Sequence, residues 1–373
     1  MSDAEFLHGV DFVDKAQASS ALMLDNQGVI GLIGTAPEAD VDRFPLDEPV
    51  LIAGSDIEAA FLGDEGTLPE AVSGIFKQCY AQIVVVRVAG ENEAGVLNAV
   101  IGGYRVAANS YAGVHVFKDA KAKLGVVPKV LIAPGFSKMK TVADELVTVA
   151  DVLTATVVLD GPNTTDEAAQ AYVKEFVGKE NVYVVDPQAK VASLDGVKVV
   201  EMSPFVAGVM AGQSYAESPS NVVLRGVVGT ARGVDFRHGD ANCRANLLNK
   251  NFVATVIRED GFRLWGNYSA AGTFLSSYRI KDHMKEGIRK ITFPHVDRSL
   301  TEAKVDYILK LVNNFLDGMV REDGALRYGE ARAPKERNSA EMRRQGRLVV
   351  CVAYEDVTPM QRVSFEMEFV AQD

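Results

Sequence analysis

The feature that most constrains the fold is an alternation of apolar strand-like segments with helical segments between residues 104 and 187. Residues 129–133, 156–159 and 182–185 are short apolar runs, and each is followed by a turn sequence that contains proline. Between the first two runs, residues 141–153 repeat apolar side chains at helical spacing. Strands that are apolar on both faces are typical of a parallel sheet covered by helices. The pattern therefore predicts a central parallel sheet flanked by helices.

Two further helices are expected beside these strands. Residues 109–124 have helical character. Another helix is expected to begin at a capping box formed by Thr164 and Glu167 and to end at Gly178. Residues 203–212, which are mostly small, are predicted to form a short helix or a loop.

The pattern changes on both sides of this core, which predicts a multidomain chain of α/β and α+β type. The C-terminal part should contain helices at 274–290 and 300–316, and Ser299 with Glu302 forms a capping box before the second helix. The predicted divisions are an N-terminal arm at 1–22, a small N-terminal β-rich domain at 23–103, a middle α/β domain at 104–254, a C-terminal α+β domain at 255–354, and a C-terminal arm strand at 355–373.

Both ends of the chain have the two-residue period of a strand with one apolar face. Such segments either complete the protein's own sheet or pair with another subunit at an exposed sheet edge. The apolar residues of the two predicted intersubunit strands are Phe6, His8, Val10 and Phe12 at the N-terminus and Val363, Phe365, Met367 and Phe369 at the C-terminus.

Acidic residues are concentrated in the first part of the chain. Residues 1–103 contain 17 Asp and Glu against four Lys and Arg, whereas the whole chain has a net charge of −11. The asymmetry indicates either a solvated acidic domain or two surfaces that meet different surroundings. A net negative chain lacks the excess of Lys and Arg that grips phosphate backbones, so direct nucleic-acid binding is not expected.

Motifs for nucleotide binding or nucleophilic catalysis are weak. Gly28, Gly31 and Gly34 have the spacing GxxGxxG rather than GxGxxG and lie in a predicted strand, and no GxxxxGKS or GxxxxGKT sequence exists. Residues 212–216 nearly match a nucleophile elbow, but no strand is predicted before the serine. The sequence therefore predicts no cofactor.

Catalytic and metal-binding candidates also have simpler explanations. Ser137, Asp160 and Asp186 follow predicted core strands, at the edge where α/β enzymes hold catalytic groups. Aspartate before Gly-Pro or Pro is equally typical of turns, and we favour that interpretation. We therefore predict no catalytic residue, no metal site and no enzymatic activity. The five histidines are single and lack the spacing of metal ligands: His8, His115, His238, His283 and His295.

The cysteines and the hydropathy pattern concern cellular location. Cys79, Cys243 and Cys351 are far apart and form no CxxC pair, which favours a reducing compartment. The acidic first residues contain no apolar core of a secretory signal. No apolar run approaches the ~18 residues that span a bilayer. We expect a soluble protein made in a cytoplasm, without membrane insertion.

Several segments, taken in order along nearly the whole chain, resemble the contractile tail sheath proteins of P2-like bacteriophages and R-type pyocins. Residues 6–10, 31–37 and 111–136 resemble the family's opening segment, its early strand and the start of its middle domain. Tyr268 and Ser269 stand where family members often have Arg-Thr. The most specific segments are Ser-Pro-Ser-Asn at 218–221, Ala-Asn-Leu-Leu-Asn at 245–249, and 261–269, which contains the only tryptophan.

The resemblance implies a structural protein without a cofactor. Family members assemble as hexameric rings stacked helically around a tail tube, and their terminal arms add strands to a neighbour's sheet. A signal from the baseplate releases a metastable extended state, and contraction drives the tube through the host envelope. The implied partners are further copies of the chain and the tail tube, baseplate and tail terminator proteins. The implied location is the virion, after assembly in the host cytoplasm.

Two other functions are also considered. If the resemblance holds, the alternative is the sheath of a related contractile injection system, either pyocin-like or like that of type VI secretion. An α/β hydrolase or nucleotide enzyme is the alternative outside it.

A surface that faces the tube is predicted in the C-terminal domain. Residues 321–347 contain eight basic and five acidic residues. The hypothesis is that basic side chains contact an acidic tube, because exposed ion pairs worth roughly 0–1 kcal/mol each suit a contact that must release. A solvated helix face is the alternative, and the acidic N-terminal region would lie outward. The candidates are Lys304, Lys310, Arg321 and Arg327.

Overall fold

The structure is a computed structural model that describes residues 28–370. The strands are β1 (Ile30–Gly34), β2 (Pro49–Ala53), β3 (Gln82–Arg87), β4 (Gly103–Arg105), β5 (Ser110–Ala112), β6 (Val130–Ile132), β7 (Thr156–Asp160), β8 (Val182–Val185), β9 (Ala189–Ser193), β10 (Gly196–Val200), β11 (Val227–Thr230), β12 (Val253–Arg258), β13 (Phe262–Trp265), β14 (Leu326–Arg332) and β15 (Cys351–Asp356). The α-helices are α1 (Asp56–Ala59), α2 (Thr67–Gln78), α3 (Glu93–Ile101), α4 (Ala120–Leu124), α5 (Lys140–Leu153), α6 (Asp166–Lys174), α7 (Ser203–Gly212), α8 (Arg244–Lys250), α9 (Leu275–Thr292), α10 (Glu302–Arg321) and α11 (Ala340–Arg344).

An eight-stranded sheet forms the centre of the molecule, in the order β13-β12-β8-β7-β6-β1-β3-β2. The six inner strands are parallel to their neighbours, whereas β2 and β13 run antiparallel at the two edges. The predicted strands at 129–133, 156–159 and 182–185 lie side by side in this sheet as β6, β7 and β8. The central α/β architecture is confirmed, as a mixed sheet rather than a purely parallel one.

The prediction of a separate N-terminal β-rich unit is wrong in one respect. The strands β1, β2 and β3, all from residues 23–103, continue the central sheet, because β1 pairs with both β3 and β6. The strand β12, which we placed in the C-terminal domain, also pairs with β8 in this sheet. Chain order does not reveal which strands become spatial neighbours, so the sheet crosses the predicted boundaries at 103 and 254. The other boundaries stay predictions.

Helices cover both faces of the central sheet and bury its apolar side chains. On one face, α2 and α7 pack over Leu32, Val85 and Tyr183. On the other face, α5 and α6 pack over Leu131 and Val157. A three-stranded sheet in the order β10-β9-β11 adds to the first of these cores.

A third core lies in the C-terminal part of the chain. It is built from α9, α10 and β14, with Ile280 and Met284 packed against Val312 and Leu316. The helix α9 contributes to this core and also contacts the α/β unit, so it connects the two. Within residues 28–370, every helix is too short or too polar to cross a lipid bilayer.

Some local predictions differ from the structure. Residues 109–124 are helical only in part: β5 and a 3₁₀ helix at Gly113–Asp119 precede the short α4. Gly113 has a φ of +60°, which a right-handed helix does not accommodate. The caps are also shifted, because Thr165 rather than Thr164 caps α6, and Thr301 rather than Ser299 caps α10.

The glycines that superficially matched a nucleotide loop serve close packing instead. Gly31 lies within the buried strand β1, as the sequence predicted for this segment. A Cβ atom at this position would lie 2.5 Å from Leu131 Cδ2 and 3.0 Å from Pro128 Cβ. The absence of a side chain at Gly31 therefore leaves room for the Leu131 side chain of the neighbouring strand β6.

Candidate assembly site

The two-stranded sheet of the C-terminal region has two edges at which another strand could pair. β14 and β15 run antiparallel, with Ala331 opposite Val352 and Gly329 opposite Tyr354. One face of the sheet packs on the third core, where α10 lies against β14. Each edge of such a sheet presents a row of backbone N–H and C=O groups. Whether the backbone groups at these two edges already have hydrogen-bond partners therefore determines whether another strand can pair there.

A side chain of α10 occupies the outer edge of β14. The N–H of Ala331 donates to Asn313 Oδ1 at 2.7 Å, and Asn313 Nδ2 donates to the Ala331 carbonyl at 3.0 Å. Both backbone groups of Ala331 therefore point away from β15. This contact was not foreseen, because a single Asn in an amphipathic helix carries no sequence signal for edge capping.

Among residues 28–370, no strand pairs with the outer edge of β15. In an antiparallel pair, a residue opposite an outward-pointing one also points outward, so the backbone groups of Val352 face away from β14. Tyr354, two residues further along, has the same orientation. Within the described part of the chain, the outward N–H and C=O groups of Val352 and Tyr354 have no hydrogen-bond partner.

The residues after β15, 357–370, are called the C-terminal arm. No helix or strand is present in residues 361–370. The four predicted strand residues of this arm are largely exposed: Val363 by 55%, Phe365 by 85%, Met367 by 94% and Phe369 by 92%. In a single copy, the arm therefore does not complete the protein's own sheet. The corresponding N-terminal residues Phe6, His8, Val10 and Phe12 lie outside the described residues.

The base of the C-terminal arm rests on the α/β unit. The Tyr268 hydroxyl donates to Gln361 Oε1 at 2.6 Å. Pro359, Met360 and Gln361 line one side of an open cavity of about 580 Å³. Residues from 218–221, 245–249 and 261–269, the segments that carry the most specific resemblance, line the other sides. These segments, distant in sequence, therefore meet where the arm leaves the subunit.

The four basic residues proposed to face a tube do not form one cluster. Lys310 and Arg321 are exposed and, 11 residues apart on α10, lie on the same side of the helix. Lys304 is half-buried and lies roughly 120° around the helix from Lys310. Arg327 is on β14, where its guanidinium lies 3.9 Å from the Glu355 carboxylate across the sheet.

The helix α9 is anchored at the amino-terminal edge of the central sheet by buried charges. Lys129, just before β6, places its ammonium 3.0 Å from Asp282 Oδ2 and 2.8 Å from Glu286 Oε2. The Tyr278 hydroxyl lies 3.5 Å from the Ala155 carbonyl, just before β7. Burial raises the pKa of Asp282, and the Lys129 charge opposes that shift. The C-terminal region is therefore tied to the α/β unit by polar contacts as well as by packing.

An aromatic stack strengthens the same junction. The ring of His283 on α9 lies parallel to the ring of Tyr215, with centroids 3.7 Å apart. The Tyr215 hydroxyl donates to Asp323 at 2.5 Å. Burial lowers the pKa of His283 to about 4, so the imidazole is neutral near pH 7.

The polar groups at the carboxyl edge of the central sheet have internal partners. Asp160 accepts hydrogen bonds from the backbone N–H and the hydroxyl of Ser203, at 2.8 and 2.6 Å, and from the Ser137 hydroxyl at 3.3 Å. Burial and then the charge of Glu201 raise the pKa of Asp160 to about 7, against these donors. Asp160 therefore holds the start of α7 in place, which the sequence did not indicate.

The remaining candidates for chemistry are separated from one another. Asp186 is buried and pairs with Arg232 rather than with Asp160. His115 lies 3.1 Å from Glu145, and His238 lies 3.8 Å from Glu259. Residues 28–370 contain no group of three or more His, Cys, Asp or Glu side chains placed to hold a metal ion.

Family comparisons agree with this architecture. Residues 109–270 match the family described as the phage tail sheath protein central domain, and residues 27–88 match the N-terminal region of domain III of tail sheath protein Gp18. The chain is 33% identical to a putative prophage major tail sheath protein of Pseudomonas aeruginosa strain UCBPP-PA14, over 98% of this chain and 97% of the relative. It is 25% identical to the tail sheath protein of Escherichia phage P2, over 97% and 95% of the two chains.

A solved structure shares the fold over the whole length. The helical sheath of the anti-feeding prophage in its contracted state superposes with a TM-score of 0.71 at 15% identity, and the match covers 99% of each chain. Similarity at this level of identity concerns the fold.

Proposed function

The chain belongs to the phage tail sheath protein family, and from that premise we propose that it is the structural subunit of a contractile phage tail sheath. Its copies assemble as hexameric rings stacked in a helical lattice around a tail tube. The lattice contracts from a metastable extended state and drives the tube through the host envelope, and the subunit performs no catalysis. The sheath of a related contractile injection system, pyocin-like or type VI-like, is the alternative.

One observation carries this proposal: an arm with alternating exposed apolar residues follows a sheet that has an open edge. Phe365, Met367 and Phe369 are almost fully exposed in one copy, a state that water disfavours for large apolar side chains. The open edge of β15 offers backbone groups and the rim of an apolar core. Donor and acceptor surfaces differ, so the contact is head-to-tail, and a head-to-tail contact that does not close on itself generates an open helical assembly.

An arm exchanged between copies is also compatible with contraction of the lattice. A strand exchanged between copies keeps its backbone hydrogen bonds while residues 357–362 bend, so neighbours can move as bodies without separating. Inside each copy, the buried contacts of α9 to the central sheet favour motion of the α/β unit and the third core together. Packed interfaces switch between discrete arrangements, so a small free-energy gain per copy, summed over many rings, supplies the work. The extended state is then a kinetic trap.

The proposal includes partners outside the sheath. The tail tube lies inside, and the baseplate and tail terminator proteins lie at the two ends. Lys310 and Arg321, on one side of α10, are our first candidates for contacts with an acidic tube, and Lys304 and Arg327 are further candidates. The assembly belongs to the virion and forms in the host cytoplasm, without direct nucleic-acid contacts or membrane insertion.

Negative-stain electron microscopy of the purified chain at high concentration tests self-assembly. Full-length protein should form long hollow tubes. Variants that lack residues 1–14 or 362–373 should not, because each loses one predicted exchange strand. Persistent monomers of all three proteins would contradict the proposal.

A matched pair of variants separates the two faces of the arm. Phe365→Ser with Phe369→Ser removes apolar side chains and should abolish tubes. Glu366→Gln with Glu368→Gln alters the opposite face of the same strand and should leave tubes intact.

A further inference from the structure

We infer that the β9–β10 hairpin of one copy inserts its tip into a groove beside α2 in a second copy. This contact is separate from the terminal arms. The inference rests on the proposed self-assembly of the chain and assigns the two surfaces of a further interface within it.

The tip of the hairpin carries an apolar side chain that is fully exposed in one copy. Leu194 and Asp195 form the two-residue turn between β9 and β10. Tight turns favour Gly, Asn, Asp, Ser and Pro, because these residues supply the turn geometry or local hydrogen bonds. Leucine supplies neither, and water disfavours its exposure. Leu194 therefore contributes little to the turn itself and is available to a partner.

Leu194 adjoins a larger apolar surface on the same hairpin. Val197 and Val199 of β10 are 64% and 44% exposed and, two residues apart, lie on one face of the sheet. Ala192, opposite Val197 on β9, is exposed as well. β10 is the outer strand in the order β10-β9-β11, and no strand among residues 28–370 pairs with its free side. A continuous apolar surface, unlike a single exposed residue, marks an interaction site.

A groove between α1 and α2 has the shape and chemistry to accept this tip. Its volume of about 460 Å³ exceeds that of a leucine side chain. Val72 is buried and Phe76 half-buried, and both line the groove. The exposed ring of Tyr80 lies 5.2 Å from that of Phe76 between centroids, and its hydroxyl donates to Asp56 Oδ2 at 3.2 Å. The groove therefore offers aromatic and aliphatic surface that is already held in place.

The charges around the two surfaces are complementary. The groove is lined by two carboxylates and one ammonium group, whereas the hairpin carries two ammonium groups and one carboxylate. These are Asp56, Asp64 and Lys77 in the groove, and Lys190, Lys198 and Asp195 on the hairpin. Opposite charges around an apolar contact fix its orientation and disfavour wrong partners. The acidic first part of the chain thus meets a basic element from its second part.

The hairpin does not occupy the groove of its own copy. The Lys198 ammonium lies 2.7 Å from the carboxylate of Glu70 on α2. Glu70 is about 100° around this helix from Pro69, which lines the groove. Hairpin and groove therefore flank α2 on different sides, and Leu194 stays exposed. A contact between two such different surfaces is head-to-tail, so each copy can bind two others.

Cross-linking between introduced cysteines in assembled tubes tests this contact. Leu194→Cys with Ser73→Cys places one thiol on the tip and one in the groove, and Leu194→Cys with Ala60→Cys uses a second groove position. Under mild oxidation, non-reducing electrophoresis should show a ladder of disulfide-linked multimers for at least one of these pairs, because every copy has one donor and one acceptor thiol.

The matched control moves the second thiol to the other face of the central sheet. Val177 follows α6 and is 75% exposed. Leu194→Cys with Val177→Cys should therefore give at least tenfold less multimer. Equal yields with the groove and control positions would overturn the inference. Dimers linked through residue 194 in the single variant Leu194→Cys would also overturn it, because hairpins would then meet each other.

A charge at the tip gives an independent measurement. Leu194→Asp places a carboxylate beside Asp56 and Asp64 of the second copy, so it should raise the protein concentration needed for tube formation at least tenfold. Val177→Asp should leave that concentration unchanged, and thermal unfolding of both unassembled variants should match the wild type. Normal tube formation by Leu194→Asp would overturn this contact and leave the proposed function intact. A wild-type protein that stays monomeric would contradict both.

Discussion

Lys129 and Asp282 form an ion pair that is almost completely buried between the central sheet and α9. Their charged atoms are 3.0 Å apart, and the two side chains are 4% and 6% exposed. Lys129 comes just before β6, and Asp282 lies on the helix that also builds the third core. The pair therefore holds α9 and the third core to the central sheet.

Removing one partner of this pair should be costly. Lys129→Met leaves the buried carboxylate of Asp282 without the cation that opposes it, so we expect the free energy of unfolding to fall by about 3–5 kcal/mol. Equilibrium urea denaturation measures this loss. Lys179→Met removes the half-exposed pair with Asp151 and should cost only about 0–1 kcal/mol. Equal losses in the two variants would contradict the structural role of Lys129.

The burial of His283 should make stability sensitive to acid. The pKa of His283 is about 4 in the folded protein, below the ordinary value of 6.5. The unfolded chain therefore binds the proton first, and the free energy of unfolding should decrease as pH falls from about 6.5 to about 4. This single group accounts for about 3 kcal/mol, and its stabilisation is fully present above pH 6.5.

Urea denaturation at several pH values checks the effect of His283. His283→Phe preserves a stacked ring without a titrating nitrogen, so its stability should depend less on pH over that range. His238→Phe changes an exposed histidine and should keep the wild-type slope. A wild-type slope in His283→Phe would disprove the assignment.

Gly31 offers a test of packing at the centre of the fold. Gly31→Ala should lower the free energy of unfolding by about 1–3 kcal/mol, because the new methyl group would overlap Leu131 in a filled core. Gly233→Ala is the matched control, since nothing lies within 4 Å of its added Cβ. Thermal unfolding of both variants should show a large shift for the first and little for the second. A nucleotide-binding role for Gly31 would instead produce ligand-dependent stability.

The basic residues of the C-terminal region can be tested with purified tail tubes. Lys310→Glu with Arg321→Glu reverses two charges on one side of α10 and should abolish co-sedimentation of sheath with tubes. Lys304→Glu with Lys310→Glu should do the same if both flanks of the helix touch the tube. Binding by the wild type should weaken as salt is raised, because exposed charges are screened. Normal assembly of both variants on tubes would exclude these residues from the contact.

The sequence predicted the central sheet because its strands are buried on both faces and therefore uninterruptedly apolar. Residues 156–159 and 182–185 contain no polar side chain except those of Thr156 and Tyr183, and a helix with a clear apolar side, α5, precedes the first of these strands. The strands that pair with the outer sides of β6 and β8 were not predicted. Nothing in the local pattern of β1 or β12 indicates that they pair with β6 and β8, since such pairing is decided by packing between distant segments.

The arm and its site were predictable to different degrees. The alternation of Val363, Phe365, Met367 and Phe369 predicted a strand that completes the protein's own sheet or pairs with another subunit. These side chains are exposed in one copy, and pairing with another subunit stays a prediction. The contacts of Asn313 with Ala331 and of Tyr268 with Gln361 were not predictable. Both join residues through tertiary packing, and neither Asn nor Tyr has a sequence pattern specific to such a contact. The sequence gives only a weak indication of the buried ion pair of Lys129, because a charged residue stands at the start of an apolar strand.

A cryo-electron microscopy reconstruction of the assembled tubes tests the central claim most directly. Resolution sufficient to trace the backbone would show which chain provides the strand beside β15. We predict that residues 363–369 of one copy form backbone hydrogen bonds with Val352 and Tyr354 of another copy. Tubes in which each arm folds back on its own subunit, or in which copies touch through side chains alone, would contradict the account.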